Sequence, residues 1–141
     1  MAIKQLSVFV ENKIGQIASL TGILSDADIN FRAAVIAETT DFGIFRCIIE
    51  DPEKAQDILQ QHGFNASLTD VIPISISDVP GALSQVLQLL AANGIDTKYL
   101  YSAVTQAAKT SVIILKTSDT EGAEALLKKN GIRIFVLKDL I

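Results

Sequence analysis

The sequence has few of the residues on which metal centres and nucleophilic active sites depend. Its 141 residues include one cysteine, Cys47, one histidine, His62, and no tryptophan. A single cysteine excludes an intramolecular disulfide and any multi-cysteine metal site. A single histidine excludes every arrangement that needs two histidines. We therefore expect no metal site, no cofactor and no catalytic residues.

Long apolar runs and basic clusters are also absent. No segment approaches the ~18 consecutive apolar residues required to cross a bilayer, and the first residues lack the pattern of a signal peptide. The net charge is -4, and Lys128-Lys129 is the one pair of adjacent basic residues, which argues against a nucleic-acid partner. Because 49% of the residues are apolar and 20% charged, we expect a folded protein of a reducing compartment, the cytoplasm, with no membrane partner.

The chain contains an internal repeat. A shift of 66 residues places Gly15 on Gly81 and Ile48 on Ile114. A two-residue insertion after the third strand then places Gly63 on a glycine of the second copy. Matching glycines and apolar positions predict two copies of one folding unit. The predicted domains are residues 1–70 and 71–141, joined with almost no linker.

Each copy is predicted to contain the element order βαββαβ. Ile72, Ile74 and Ile76 alternate with smaller or polar residues, the period of a strand with one buried face. The fourth strands are predicted at 65–69 and 133–137. Such a unit belongs to the α+β class and forms a ferredoxin-like antiparallel sheet with both helices on one face.

Capping residues predict where the helices begin and end. Asp51 is suited to cap the second helix of the first copy, and Ser118 with Glu121 forms a capping-box pattern in the second. Gly94 ends the first helix of the second copy, where a left-handed residue is favoured. Asp28 takes that position in the first copy, a less favourable but tolerated choice.

The third strand of the first copy is apolar on both sides. Phe45, Cys47 and Ile49 project to one face, and Ile44 and Ile48 project to the other. Cys47 is therefore expected to be a buried, unreactive thiol. A lone unit of about 70 residues buries too little surface to be robust. Both observations predict that the helix-free face is shielded from water and that the chain forms a homodimer.

The loops between the first strand and first helix carry the candidate chemistry. They read Glu11-Asn12-Lys13-Ile14-Gly15 and Ser77-Asp78-Val79-Pro80-Gly81. A helix that begins at glycine exposes N–H groups suited to a carboxylate, and Asn30 or Asp96 offers an oxygen for an ammonium at the start of the second strand. This pattern suits a free amino acid. The alternative is that these polar residues only form turns.

The second copy resembles the ACT domain family. The resemblance rests on Asp78-Val79-Pro80-Gly81 and on Gly94-Ile95-Asp96. It implies a stand-alone tandem ACT protein, a non-catalytic sensor with amino acids bound between neighbouring units and an amino-acid-metabolism enzyme as a possible regulated partner. Lys13-Ile14 replaces Val-Pro in the first copy. The implied ligand-binding residues are Asn12, Gly15 and Asn30 in the first copy, and Asp78, Val79, Pro80, Gly81 and Asp96 in the second.

Two other functions remain open at the level of sequence. One is a partner-binding structural module whose pockets have lost their ligands. The other is a small hydrolase of acylphosphatase type, which needs an arginine in its phosphate-binding loop. The first loop offers Lys13 but no arginine, and the second offers neither. Tyr99 and Tyr101 share one side of a strand, where they either pack in the core or line a pocket.

Overall fold

The computed structural model describes residues 2–103 and 110–140. Contacts divide the chain into two compact units, Lys4–Thr69 and, for the most part, Asp70–Leu140. Within the described residues the elements are β1 (Ile3–Glu11), α1 (Gln16–Asp26), β2 (Phe31–Glu38), β3 (Phe42–Ile49), α2 (Pro52–Gln61), β4 (Asn65–Ser77), α3 (Ala82–Ala92), β5 (Thr97–Ala103), β6 (Thr110–Thr117), α4 (Thr120–Lys129) and α5 (Leu137–Leu140). The sequence predicts that β5 runs from Thr97 to Val104, and Val104 lies outside the described residues.

The first unit has the predicted ferredoxin-like sheet. Its strand order is β2-β3-β1-β4, and β3 is antiparallel to both β1 and β2. Helices α1 and α2 pack on one face of this sheet, because alternate strand residues and one stripe of each helix are apolar. The core of the unit comprises Leu6, Val8, Val10, Leu20, Leu24, Ile29, Phe45, Cys47, Ile49, Ala55, Leu59 and Ala66.

The second unit repeats this plan in the order β4-β6-β5, again antiparallel. Helices α3 and α4 cover the face that carries Ile72 and Ile74 of β4 and Ile113 and Leu115 of β6. The α+β prediction with helices on one face is therefore confirmed.

The predicted fourth strand of the second unit is wrong. Where a strand was predicted at 133–137, the structure has one antiparallel bridge between Ile74 and Ile134, followed by α5. Phe135 N–H donates to the carbonyl of Pro73 at 2.8 Å. Pro73 has no N–H to return the second bond of that pair, so the ladder stops.

Strand β4 is longer than predicted. The sequence indicates one strand at 65–69 and another from Ile72 to Ser77, but the structure has a single strand of 13 residues, Asn65–Ser77. Its first part belongs to the unit that ends at Thr69, and the remainder belongs to the second. The residues on both sides of this boundary therefore belong to the same strand.

The register places the two-residue insertion earlier than the sequence alignment does. Leu6 lies opposite Cys47 in the first unit, and Ile72 lies opposite Leu115 in the second. The offset is therefore 72 − 6 = 66 residues for the first strand and 115 − 47 = 68 for the third. The insertion precedes β6, so Ile114 is not the structural counterpart of Ile48.

The helix starts agree with the sequence at one position and differ at another. Asp51 caps α2 by accepting a hydrogen bond from Lys54 N–H at 3.2 Å. The cap of α4 is Asp119, which accepts from Gly122 N–H at 3.0 Å, and not Ser118. The Ser118 hydroxyl instead accepts from Asp96 N–H at 3.0 Å, a long-range contact invisible in a local pattern.

The helix-free faces are shielded only in part, because Phe9 and Phe42 on that face of the first unit are exposed. Ile48 and Ile114 are fully buried, although neither belongs to the core beneath the helices. Cys47 is also fully buried, and this desolvation raises the pKa of its thiol to about 12. The prediction of a buried thiol is confirmed. Tyr101 is buried as well.

Candidate functional site

The two candidate loops have the same backbone geometry. Gly15 and Gly81 occupy the N-cap positions of α1 and α3 with φ values of 90° and 87°, and neither helix receives a side-chain cap. Helices α2 and α4, by contrast, are capped by Asp51 and Asp119. A left-handed N-cap is readily adopted by glycine, which brings no side chain to occupy the helix start.

The uncapped helix start leaves hydrogen-bond donors available. Ala82 N–H donates to the carbonyl of Val79 at 3.3 Å. The next two N–H groups, of Leu83 and Ser84, have no hydrogen-bond partner among the described residues. These donors, together with the positive end of the helix dipole, favour an anion such as a carboxylate.

The second loop also presents an acid. Asp78, Val79, Pro80 and Gly81 are all exposed. Asp78 forms no hydrogen bond or ion pair within the described part of the chain. An exposed carboxylate next to free N–H donors provides opposite partners for the two charged ends of an amino acid.

Asn30 and Asp96 lie at the other ends of these helices. Helix α3 has 11 residues, and at ~1.5 Å per residue it separates Gly81 from Asp96 by roughly 16 Å. Asp96 pairs with Lys98 at 3.0 Å, and the Asn30 Oδ1 accepts from Phe31 N–H at 2.9 Å. At this distance one amino acid does not contact both Gly81 and Asp96 of the same unit, so of the two acids only Asp78 is near the start of α3.

An open cavity of about 520 Å³ adjoins the start of α3. It lies within the second unit, between the end of β4, the first turns of α3 and the segment after α4. Pockets of about 300–1,000 Å³ accommodate small ligands. Its lining contains both polar and apolar residues: Ser75, Ile76, Ser77, Ala82, Gln85, Val86, Leu89, Thr110, Asn130, Gly131, Ile132 and Arg133.

The first unit has an equivalent but smaller cavity of about 290 Å³. Its lining comprises Phe9, Glu11, Gln16, Phe42, His62, Gly63, Phe64 and Asn65. By the structural offsets of 66 and 68 residues, Phe9 corresponds to Ser75 and Phe42 to Thr110. Asn65 corresponds to Arg133 in the same way. The repeat therefore places one cavity at the same point of both units, with different side chains.

The loop geometry and the tandem sheet with helices on one face agree with one family over the whole chain. The family model described as an ACT domain pair matches residues 1–141. The chain belongs to this family. The resemblance inferred from the loop pattern is thus confirmed. A comparison with curated proteins gives no match.

Solved structures support the ACT assignment. The chain is similar to protein BT0572 from Bacteroides thetaiotaomicron, with a TM-score of 0.92, 38% identity, and 99% of this chain and 96% of that chain covered. It shares its fold with the ligand-free regulatory subunit of aspartate kinase from Thermus thermophilus (TM-score 0.69, 17% identity, 91% and 90% covered). The regulatory subunit of aspartate kinase from Thermus flavus has a TM-score of 0.62 at 17% identity, with 89% of this chain and 88% of that chain covered.

Side chains of the first loop of this ACT pair form hydrogen bonds and an ion pair within their own unit. The side-chain amide of Asn12 donates to Glu38 Oε2 at 3.3 Å and to the carbonyls of Thr39 and Thr40 at 3.2 Å each. Lys13 forms an ion pair with Glu11 at 3.1 Å. Asn12 therefore joins the end of β1 to the turn between β2 and β3, and its amide N–H groups already have partners.

Sequence reasoning identified the loops of the ACT pair but missed the cavity residues Ser75, Thr110 and Arg133. The repeat alignment contained a signal, since Arg133 replaces the neutral Asn65. Among the described residues, no group of three His, Cys, Asp or Glu side chains is arranged to hold a metal ion. Nor does any helix in that part of the chain have the length and apolarity to span a bilayer.

Proposed function

We propose that this ACT domain pair is a non-catalytic regulator that binds a free amino acid at the start of α3. The observation that carries the proposal is the absence of a side-chain cap at Gly81, which leaves the N–H groups of Leu83 and Ser84 unpaired beside the exposed Asp78. The first unit offers the same uncapped helix but has no acid in the place of Asp78, because Asn12 stands there.

In the proposed mode, the α-carboxylate of the ligand accepts from the N–H groups of the first turn of α3. Its ammonium pairs with the carboxylate of Asp78. The ligand side chain extends into the cavity that adjoins Ala82 and Gln85. A free amino acid has both charges on one carbon, and Asp78 lies three residues before Gly81, so both partners fall within reach of a small zwitterion.

The regulatory part of the proposal rests on the family. ACT domains are regulatory modules, and the fold is shared with proteins described as regulatory subunits of aspartate kinase. We propose that this protein acts on a separate enzyme of amino-acid metabolism and does so as a homodimer. Ligand binding would alter the surface that this enzyme contacts.

A thermal-denaturation screen of the twenty amino acids tests binding on the full chain. A ligand that binds only the folded protein, at 100 times its Kd, adds about 2.7 kcal/mol to the free energy of unfolding. For a chain of this size the melting temperature should rise by several degrees. If no amino acid raises it, the ligand-binding proposal fails and a structural, partner-binding role is favoured.

Two matched variants identify the carboxylate that receives the ammonium. Asp78→Asn should weaken binding by about 10–150-fold, since it removes a hydrogen bond between charged groups. Asp96→Asn, at the far end of α3, should leave the affinity within about twofold. Isothermal titration calorimetry measures both. If Asp96→Asn weakens binding and Asp78→Asn does not, the proposed mode is contradicted. That result would indicate that a neighbouring copy completes the site.

A further inference from the structure

We propose that the cavity of the second unit selects an amino acid whose side chain carries a carboxylate, that Arg133 binds this carboxylate, and that the equivalent cavity of the first unit does not bind it. This inference deepens the proposed function and rests on it. It depends on the chemistry of the two cavity linings, which the repeat allows to be compared position by position.

Among the described residues, Arg133 is the one charged residue in the lining of the second cavity. The other polar residues in this lining are Ser75, Ser77, Thr110, Gln85 and Asn130, and the described part of the lining contains no acidic residue. A guanidinium group donates hydrogen bonds to a carboxylate. The lining therefore complements an anion and disfavours a cation.

The Arg133 guanidinium is positioned and unpaired. Its central carbon lies 4.3 Å from the ring centroid of Phe135, and Phe135 is 2% exposed. The structure shows no ion pair or hydrogen bond of the Arg133 side chain within the described residues. Stacking on a buried ring restricts the side chain while its N–H edge stays free, so less conformational entropy is lost when a carboxylate binds.

The start of α3 faces the same cavity as Arg133. Ala82, Gln85 and Val86 line the cavity together with Arg133. A ligand held by its α-carboxylate at this helix start can therefore direct its side chain towards the guanidinium without leaving the cavity. Two anionic groups on one small molecule then have separate donors.

The equivalent cavity of the first unit has a different lining. Glu11 lines it, and the neutral Asn65 stands where the second unit has Arg133. Phe9 and Phe42 replace Ser75 and Thr110, and their ring centroids are 5.1 Å apart. This cavity is smaller, about 290 Å³, and its described lining contains no arginine or lysine, so it does not suit the same ligand.

Calorimetric titration of the full chain tests the inference. The probes are L-aspartate, L-glutamate, their amides L-asparagine and L-glutamine, L-lysine, and the diacids succinate and glutarate, which lack the amino group. We expect one of the two acidic amino acids to bind at least about tenfold more tightly than its amide. Lysine should bind more weakly than either.

Three variants assign the selectivity. Arg133→Met retains the aliphatic length of the side chain and should weaken binding of the acidic amino acid about tenfold, with the amide unchanged. Arg133→Lys should restore part of the preference. Asn65→Ala, the matched change in the first unit, should alter neither the affinity for the acidic amino acid nor the affinity for its amide. Circular dichroism of each variant verifies that the fold is retained.

The outcomes separate this inference from the proposed function. If an amino acid binds with equal affinity to the wild type and to Arg133→Met, the inference is overturned while the amino-acid function stands. If succinate or glutarate binds in an Arg133-dependent manner and no amino acid binds, the anion site stands and the amino-acid function fails. If none of the probes binds, or if Asn65→Ala has the larger effect, the inference is overturned.

Discussion

Cys47 shows how a single residue reports on the packing of the first unit. Its side chain lies among core residues of β1, β3, α1 and α2 and is fully buried. The alternation of Phe45, Cys47 and Ile49 predicted this burial from the sequence, because side chains two residues apart point to the same face of a strand. The pKa, raised to about 12 by desolvation, is a property of the folded state alone.

We predict that Cys47 resists alkylation in the native protein at pH 8 and reacts fully after unfolding in guanidinium. The thiolate is the reactive species, and the folded state keeps the thiol protonated until pH about 12. Timed labelling with iodoacetamide and mass spectrometry measure the reaction of this single cysteine. Native labelling as fast as denatured labelling would contradict the burial.

The same residue makes stability depend on pH in the alkaline range. The folded pKa of about 12 lies above the ordinary pKa of a cysteine thiol, 9.0, so between these values the folded state holds a proton that the unfolded state has lost. The contribution of Cys47 to the free energy of unfolding should therefore be present below pH 9 and decline as pH rises towards 12. Cys47→Ala removes the group and serves as the comparison.

At the scale of the element, helix starts divide into two kinds. Helices α2 and α4 are capped by Asp51 and Asp119, whereas α1 and α3 begin at left-handed glycines without a side-chain cap. In the first kind, the aspartate accepts a hydrogen bond from one N–H group of the first turn, which stabilises the helix. The second kind leaves N–H groups open, which is the feature assigned to ligand binding.

We predict that Asp119→Ala lowers the free energy of unfolding by about 1 kcal/mol, since it removes the bond from Gly122 N–H. Ser84→Ala, in the first turn of the uncapped α3, is the matched control and should cost less than half as much. Urea denaturation measures both variants. Equal costs would indicate that the cap of Asp119 contributes nothing specific.

Two element predictions failed for different reasons. The missing fourth strand follows from Pro73, which lies on the neighbouring strand and about 60 residues earlier in the chain, so no local pattern in 133–137 reveals it. The shifted cap follows from Ser118, whose hydroxyl is engaged by Asp96. In the first case a long-range hydrogen bond is missing, and in the second a long-range hydrogen bond is formed. Either way, a residue distant in the chain overrides the local propensity.

At the scale of the whole molecule, the helix-free face of the first unit exposes aromatic surface. Phe9 and Phe42 lie on the side of the sheet opposite Val8 and Phe45, and each is 46% exposed. Adjacent exposed aromatic rings are common at protein interfaces. The second unit has Ser75 and Thr110 at these positions, so the two units differ in this surface.

We predict that the protein is at least a dimer at micromolar concentration and that the double variant Phe9→Ser, Phe42→Thr dissociates more readily. The variant takes its residues from the second unit, where the same backbone positions tolerate them. Sedimentation velocity on both proteins gives the mass. A wild type that sediments as a 15.1 kDa monomer would contradict the prediction.

The sequence by itself determined the properties that depend on neighbouring residues. The two copies, the strand and helix periods, the glycines that begin α1 and α3, and the buried Cys47 follow from spacing and backbone conformation, which are local. The family was recognisable because Asp78-Val79-Pro80-Gly81 is itself a local pattern.

The tertiary structure decided what depends on residues distant in the chain. It moved the repeat insertion ahead of β6, showed Asn12 bonded to the turn after β2, and separated Asp96 from Gly81 by the length of α3. It also brought Arg133 into one cavity with the start of α3. These relations are set by how elements pack in three dimensions, and packing joins residues that no short stretch of sequence places together.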